Sequence, residues 1–412
     1  MASPSVCIRG CICLVWVMAA FSLSGCAEDM APPTPQRLDI HSKVLNEDRV
    51  VWVRLPPGYQ QSKSVYPVLY ETDAPGHVNE SGGVIDFLVG HNRMPQLIVV
   101  GIANTDRVRD LTPSRADERH SDGTVDTNPT SGGADKFLDF IQTELIPEIE
   151  KRYRTAPYRI FAGHSLGGLL AAHAFISRPS LFNAYIAISP SLWWDDYRTV
   201  HQAQAFLTTP QDLNKTLFLS LASEDGQMVE GFDQLCALLK ANAPKGLVWK
   251  SERYMNEDHG STTLLAHYDG LRTVFAGWQV TYDEKTHLLG GGLSGVEDHY
   301  RKLSERFGYP IPVPEPTLNQ LGYQLKAQKK FDESIAVFQQ NVQLYPGSAN
   351  VYDSLGEGLE AAGKYEAASQ NFQKAIEMAT ATNDSSLPEF RKHLERVTAE
   401  AKSASTNSPA VK

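Results

Sequence analysis

One stretch of twelve residues, Arg159-Ile-Phe-Ala-Gly163-His164-Ser165-Leu166-Gly167-Gly168-Leu-Leu, constrains the fold of this chain more than any other. It joins a short apolar run to Gly-x-Ser-x-Gly and continues into Leu169-Leu-Ala-Ala-His-Ala-Phe-Ile, a helix of small and apolar residues. A strand that turns sharply into a helix lifts a serine hydroxyl clear of the backbone. The two glycines let that strained turn pass without steric clash. The stretch reads as a nucleophile elbow, with Ser165 as the nucleophile.

The elbow needs a sheet to stand on, and the surrounding sequence supplies one. After the alternating segment Arg49-Val-Val-Trp-Val-Arg-Leu come the apolar runs Tyr66-Pro-Val-Leu-Tyr, Leu97-Ile-Val-Val-Gly-Ile, Arg159-Ile-Phe-Ala, Ala184-Tyr-Ile-Ala-Ile, Thr216-Leu-Phe-Leu-Ser-Leu and Gly246-Leu-Val-Trp-Lys. Strands that are apolar on both faces and alternate with helices predict a mostly parallel α/β sheet covered on both sides. One covering helix starts at Ala134, with Phe137, Phe140, Ile141 and Leu145 on one face. The polar stretch 105–133 shows no periodicity and is expected to be a loop beside a site.

A serine nucleophile needs a base and an acid, and in α/β hydrolases the chain order is Ser, then Asp or Glu, then His. Past the run 216–221 lies Ala222-Ser-Glu224-Asp225-Gly226, a turn with two carboxylates. Farther on, Glu257-Asp258-His259-Gly260 follows the last expected strand and precedes a helix from Leu264 to Trp278. The expected triad is Ser165, Glu224 and His259, with Asp225 as the substitute acid. His164 should point away from the nucleophile. The backbone N–H of Leu166 and one from the loop Glu71-Thr-Asp-Ala-Pro-Gly, at Asp73 or Ala74, should form the oxyanion hole, since Pro75 has no N–H. Trp193 and Trp194 leave a strand on the ligand-binding side of such a sheet and either wall the site or belong to the core. Arg107 either holds an anionic or catecholic substrate or pins its loop through an internal Arg–Asp pair.

The two ends of the chain carry different signals. Arg9 followed by the apolar run 11–21 is too short to span a bilayer and reads as an export signal. It ends in Leu23-Ser24-Gly25-Cys26, which resembles a bacterial lipobox. Residues 1–25 would then be removed and Cys26 lipidated, facing the periplasm or exterior, with 26–37 as a proline-rich tether. Of five cysteines only Cys236 would remain in the folded part, on an amphipathic helix, so no intrachain disulfide is expected. Residues 38–280 form the expected catalytic domain and 281–314 a linker with one helix. From 315 to 401, Leu318, Leu321-Gly322, Leu325, Phe331, Ser334 and Phe338 recur 34 residues later as Tyr352, Leu355-Gly356, Leu359, Tyr365, Ala368 and Phe372. That period predicts two helical hairpins of tetratricopeptide type, capped by flanking helices. Residues 402–412 are expected to be a disordered tail.

The formal charge of −10 and the lack of a basic tract argue against nucleic acid as a partner. No His-Glu-x-x-His, metal-spaced cysteine pair or phosphate-cradling loop is present, so neither metal nor other cofactor is expected. Gly290-Gly-Gly-Leu-Ser-Gly reads as a flexible connection.

Tyr66-Pro-Val-Leu-Tyr, Asn104-Thr-Asp-Arg, Arg109-Asp-Leu-Thr-Pro, Gly133-Ala-Asp-Lys-Phe, the elbow, Ser189-Pro-Ser-Leu-Trp-Trp and Glu257-Asp-His-Gly together resemble the esterase family of α/β hydrolases. That family includes esterase D, enterochelin-type siderophore esterases and the mycolyltransferases. The resemblance covers about residues 38–280, and the repeats beyond it resemble a subgroup of exported bacterial esterases. It implies a serine carboxylic-ester hydrolase that forms an acyl-enzyme with siderophore-type or other small esters. In that subgroup the acid turn usually reads Gly-Asn-Glu-Gly, which assigns the acid to Glu224. Here Ala222, Ser223 and Asp225 replace its other members, which keeps Asp225 open. The early loop usually reads Leu-Leu-Asp-Gly, and this chain departs there too. An acyltransferase with the same triad, and an inactive protein that binds a partner through its repeats, are the competing readings.

Overall fold

A computed structural model describes residues 33–60, 62–119, 124–209 and 211–406. The signal segment, Cys26 and most of the tether lie outside the described residues, as do the last six residues of the expected tail.

The chain opens with an antiparallel pair, β1 (Gln36–Ser42) and β2 (Glu47–Arg54). Then come β3 (Tyr66–Ala74), α1 (Gly76–Gly90), β4 (Ile98–Ala103) and a short α2 (Arg107–Leu111). The stretch expected as plain loop therefore begins with a helical turn, and it also holds the small pair β5 (Glu118–Arg119) and β6 (Val125–Asp126). The helix predicted from Ala134 is α3 (Ala134–Phe140), which passes through a π-helical segment at Ile141–Leu145 into α4 (Ile146–Arg152). The alternation continues through β7 (Thr155–His164), α5 (Leu166–Ser177), β8 (Ala184–Ile188), α6 (Trp194–Thr208), β9 (Thr216–Ala222), α7 (Gly226–Asn242), β10 (Val248–Tyr254) and α8 (Thr262–Val274).

Strands β1 to β4 and β7 to β10 form one sheet in the order β1-β2-β4-β3-β7-β8-β9-β10. It is antiparallel at β1/β2 and β2/β4 and parallel from β4 to β10. Strands β8 and β9 are buried along their whole length, because helices cover both faces and neither face can be polar. On one face Phe137, Leu170, Phe175 and Leu235 pack against Tyr70, Phe161, Tyr185 and Leu219. On the other, Val78, Ile85, Leu271 and Val274 pack against Leu69, Val99, Ile160, Ile186 and Phe218. The order reverses direction at β3 and β7, and the carboxyl ends of the parallel strands converge on one edge, where ligands bind in open α/β sheets. Cys236 lies half-buried on α7, and burial pushes its thiol up to about 11, which keeps it an unreactive packing residue.

The segment expected to be a linker is part of the core. Helix α9 (Leu293–Phe307) buries Val296, Tyr300, Leu303 and Phe307. Phe307 meets Tyr158 edge-on with ring centroids 4.8 Å apart, and it also packs on Phe275 and Trp278. The glycine cluster before it is an ordered turn. Gly290, Gly291 and Gly292 all have positive φ, and the Gly290 N–H bonds the Thr281 carbonyl.

Helices α10 (Glu315–Ala327), α11 (Phe331–Leu344), α12 (Ala349–Ala361) and α13 (Tyr365–Thr382) form two hairpins, followed by α14 (Leu387–Thr406). The last helix runs five residues past the expected boundary at Ala401. A Cβ on Gly322 would collide with the ring of Phe338, and one on Gly356 with the ring of Phe372, so the repeated glycine exists to admit the repeated phenylalanine. Leu318, Leu321 and Leu325 of α10 join the same buried cluster as Ile186 and Phe275. The helical unit thus shares one core with the sheet.

Phe307→Ala should therefore destabilise the catalytic unit although it lies outside it. A loss of about 3–5 kcal/mol is expected for a buried aromatic reduced to alanine, and urea unfolding of the two proteins would measure it.

Candidate active site

Ser165 sits between β7 and α5 at φ 60° and ψ −117°, a backbone conformation that side-chain-bearing residues seldom adopt. The turn is tied on both sides. The Ser165 N–H bonds the Ile188 carbonyl at 2.9 Å, and the Ser165 carbonyl accepts the N–H groups of Leu169 and Ser191. A Cβ on Gly163 would collide with the Gly167 backbone, and one on Gly167 with Thr72 Oγ1. These are the close approaches the two glycines permit.

Five side chains expected at the site gather around one opening of about 350 Å³: Ser165, Trp193, Glu224, Asp225 and His259. Ser191 and Met228, which the sequence reading did not single out, line it too. The Glu224 carboxylate bonds His259 Nδ1. Its side chain is 9% exposed, against 44% for His259, so the acid is enclosed while the imidazole faces solvent. Asp225 stands exposed at the start of α7 and bonds neither His259 nor the helix N-terminus among the described residues. The acid beside the imidazole is therefore Glu224. Ser165 Oγ lies 3.3 Å from Ser191 Oγ. Among the described residues it forms no bond to His259, a looseness usual for a catalytic pair without substrate.

Leu166 is the first residue of α5, so its N–H has no intrahelical acceptor. The Thr72-Asp73-Ala74 end of β3 packs against that first turn, with Thr72 Oγ1 against Gly167. Asp73 has φ 63° and precedes a cis Ala74–Pro75 bond. Its carboxylate accepts Asn104 Nδ2 at 2.6 Å and Arg107 Nε at 2.6 Å, and Arg107 Nη2 reaches the His164 carbonyl at 3.2 Å. Burial alone would raise the Asp73 pKa, but Arg107, Asn104 and Thr72 outweigh it and hold the carboxyl below its usual value. Arg107 thus pins its loop through the Asp73 pair and joins the ends of β3, β4 and β7. Its side chain is still 33% exposed, and its Nη1 has no partner among the described residues.

The two tryptophans part company. Trp193 lines the opening and donates its indole N–H to Met228 Sδ at 3.1 Å. Trp194 is 2% exposed and donates to the Ser114 carbonyl at 3.0 Å, which makes it a core residue that anchors the 105–133 stretch.

Behind His259 lies a set of histidines that no sequence spacing announced. The His164 ring packs 4.5 Å from the His259 ring and 6.0 Å from that of His77. His77 in turn is 6.1 Å from His267, whose Nε2 is 3.4 Å from the buried Glu71 carboxylate. Burial, with neighbouring His259 and His77, pulls the His164 pKa down to about 4. His164 is therefore uncharged at neutral pH.

The sheet, the elbow and the Ser–His–Glu grouping define the α/β-hydrolase class. A family model described as "Putative esterase" matches residues 42–228, and one for the tetratricopeptide repeat matches 315–381. The chain is 34% identical over 179 residues to the siderophore triacetylfusarinine C esterase of Aspergillus fumigatus, covering 36% of this chain and 60% of that one. It is 32% identical over 165 residues to the siderophore enterobactin esterase of Emericella nidulans, covering 32% and 52%. It therefore spans a little over half the length of these curated relatives. The crystal structure of an IroE-like serine hydrolase from Shewanella oneidensis superposes with a TM-score of 0.64 at 31% identity, covering 75% of this chain and 99% of that one. This chain belongs to that esterase family, with tetratricopeptide repeats joined to it.

The His164 environment makes a pH prediction. Its folded pKa lies below the unfolded value of 6.5, so the unfolded chain binds more protons between the two values. The stability it contributes is complete above pH 6.5 and is lost as pH falls towards 4. His164→Gln should flatten this part of a urea-midpoint profile measured against pH.

Proposed function

We propose that this chain is a serine esterase that cleaves carboxylic esters through an acyl-enzyme. The observation that carries the reading is Glu224 on His259 Nδ1, which leaves Nε2 for a serine that opens onto the same space. In the first step Ser165 Oγ attacks the ester carbonyl while His259 Nε2 takes its proton, and Glu224 holds the tautomer and balances the imidazolium. The Leu166 and Ala74 N–H groups receive the developing oxyanion. Collapse expels the alcohol, protonated by His259. Water, deprotonated by the same imidazole, then attacks the acyl-Ser165 ester and releases the acid. The Ser191 hydroxyl holds Ser165 Oγ at rest and yields it to His259 when substrate enters.

The names of the relatives support a siderophore-type ester as substrate. The shared core supports the repeats as a structural buttress of the hydrolase. Leu23-Ser24-Gly25-Cys26 supports export and lipid anchoring to a bacterial membrane.

Ser165→Ala should abolish hydrolysis of p-nitrophenyl butyrate and labelling by a fluorophosphonate. Glu224→Gln should lower kcat by roughly 10²–10⁴-fold, since an amide fixes the wrong tautomer. If Glu224→Gln kept full turnover and Asp225→Asn lost it, the acid would be Asp225. For the anchor, Cys26→Ser should move the protein from the membrane fraction to the soluble one and prevent incorporation of radiolabelled palmitate.

A further inference from the structure

The eight-stranded sheet ends at β10, and its outer edge is open. The Val248 N–H donates to the Lys215 carbonyl at the entrance of the β9–β10 ladder. A parallel strand turns its backbone groups to its two sides alternately, so Val248, Lys250, Glu252 and Tyr254 spend theirs on β9. Trp249, Ser251 and Arg253 turn theirs outward, and among the described residues nothing bonds them. A groove of about 340 Å³ runs along this edge beside α8, lined in part by Val248, Trp249, Asp269 and Arg272, so the helix does not fold over the strand. A bulge or a proline ordinarily blunts such an edge. Strand β10 has neither, and its register with β9 runs unshifted from Val248 to Tyr254.

The order of side chains along β10 is its own complement. They alternate between two faces: Arg253 lies over Phe232 of α7 at 5.3 Å, whereas Tyr254 bonds Asp269 of α8. A second β10 laid antiparallel on the first must set outward-facing residues opposite one another. Three registers near the middle of the strand do so. Pairing Trp249 with Ser251 sets Lys250 against Lys250, and pairing Ser251 with Arg253 sets Glu252 against Glu252. Both put like charges face to face. Centring the pair on Ser251 sets Lys250 against Glu252 twice, at the non-hydrogen-bonded positions where side chains approach closest. The same register sets Trp249 against Arg253, a cation beside an aromatic ring, and Val248 against Tyr254. Met255, 63% exposed, meets Leu247. Within one chain Lys250 Nζ and Glu252 Oε1 pair at 2.6 Å with both side chains reaching solvent, so exchanging partners across copies breaks no buried contact.

We propose that β10 is a dimerisation edge, on which a second copy of this chain lays its own β10 antiparallel and centred on Ser251. The contact is isologous and closes at two copies. It joins two eight-stranded sheets into one. The strands of one copy run against those of the other, so the two Ser165 sites open at opposite edges of the joined sheet.

Light scattering after size exclusion tests this on the full-length protein, in a mild detergent whose mass is subtracted. At roughly 100 µM, a concentration suited to a small interface, the wild type should run at twice the chain mass. Lys250→Glu sets acid against acid across the axis, and Glu252→Lys sets base against base. Each should raise the dimer dissociation constant by roughly 10-fold or more, since two contacts turn repulsive, while keeping the wild-type urea midpoint. An equimolar mixture of the two variants sets every acid against a base and should restore the dimer, as should both substitutions in one chain. A wild-type monomer overturns the proposal, as does a dimer that neither single variant weakens. Single variants that dissociate but stay monomeric when mixed overturn the register centred on Ser251.

Discussion

The strained backbone of Ser165 is the constraint around which the molecule is arranged. A serine at φ 60° is unfavourable by about 1–3 kcal/mol and persists only where its surroundings over-determine it. Here they do so from two directions. The Ile188 carbonyl of β8 and the N–H groups of Leu169 and Ser191 fix the peptide groups of Ser165, and the Gly163–Gly167 approach lets the strand fold back onto its helix. The conformation thus requires β8 beside β7 and α5 packed on the sheet. Both in turn require the buried aromatic layer of Phe161, Phe175 and Tyr185.

Two polar contacts, one half-buried and one buried, carry this rigidity to the other catalytic elements. Asp73 and Arg107 tie the ends of β3, β4 and β7 into one clamp beneath the elbow. On the far side, Glu71 of β3 and His267 of α8 face each other with both side chains 1% exposed. Burial alone would lower the His267 pKa. Glu71 beside it reverses that, and the imidazole pKa is raised. Since α8 begins immediately after the turn that carries His259, this pair locates the base relative to the nucleophile strand. A buried ion pair adds little net stability, and its value here is positional.

The helical C-terminal unit extends the same logic. Two repeats bury too little surface to stand alone, and this pair does not. Helix α9 and the leucines of α10 complete the sheet face that α1 and α8 cover only in part. The run Pro310-Ile-Pro-Val-Pro-Glu-Pro, where the sequence reading ends its linker, contributes Val313 to that core, and Tyr309 just before it belongs there too. Proline spacing reports local stiffness, and stiffness says nothing about what a segment packs against.

By itself the sequence determined the central parallel strands, because parallel strands buried on both faces must be continuously apolar. It likewise determined the elbow and the repeats, whose glycines serve close approaches that local spacing reveals. It also placed the carboxylates and His259 at strand ends, since chain order fixes which loop each occupies. Only the tertiary structure separated Glu224 from its neighbour Asp225, or Trp193 from Trp194, because adjacent residues share every local signal and differ only in which neighbours surround them. The same holds for Arg107, Ser191 and the histidines behind His259. Their partners lie tens to hundreds of residues away in the chain, and hydrogen bonds and ring contacts act over a few ångströms of space, whatever the separation in sequence.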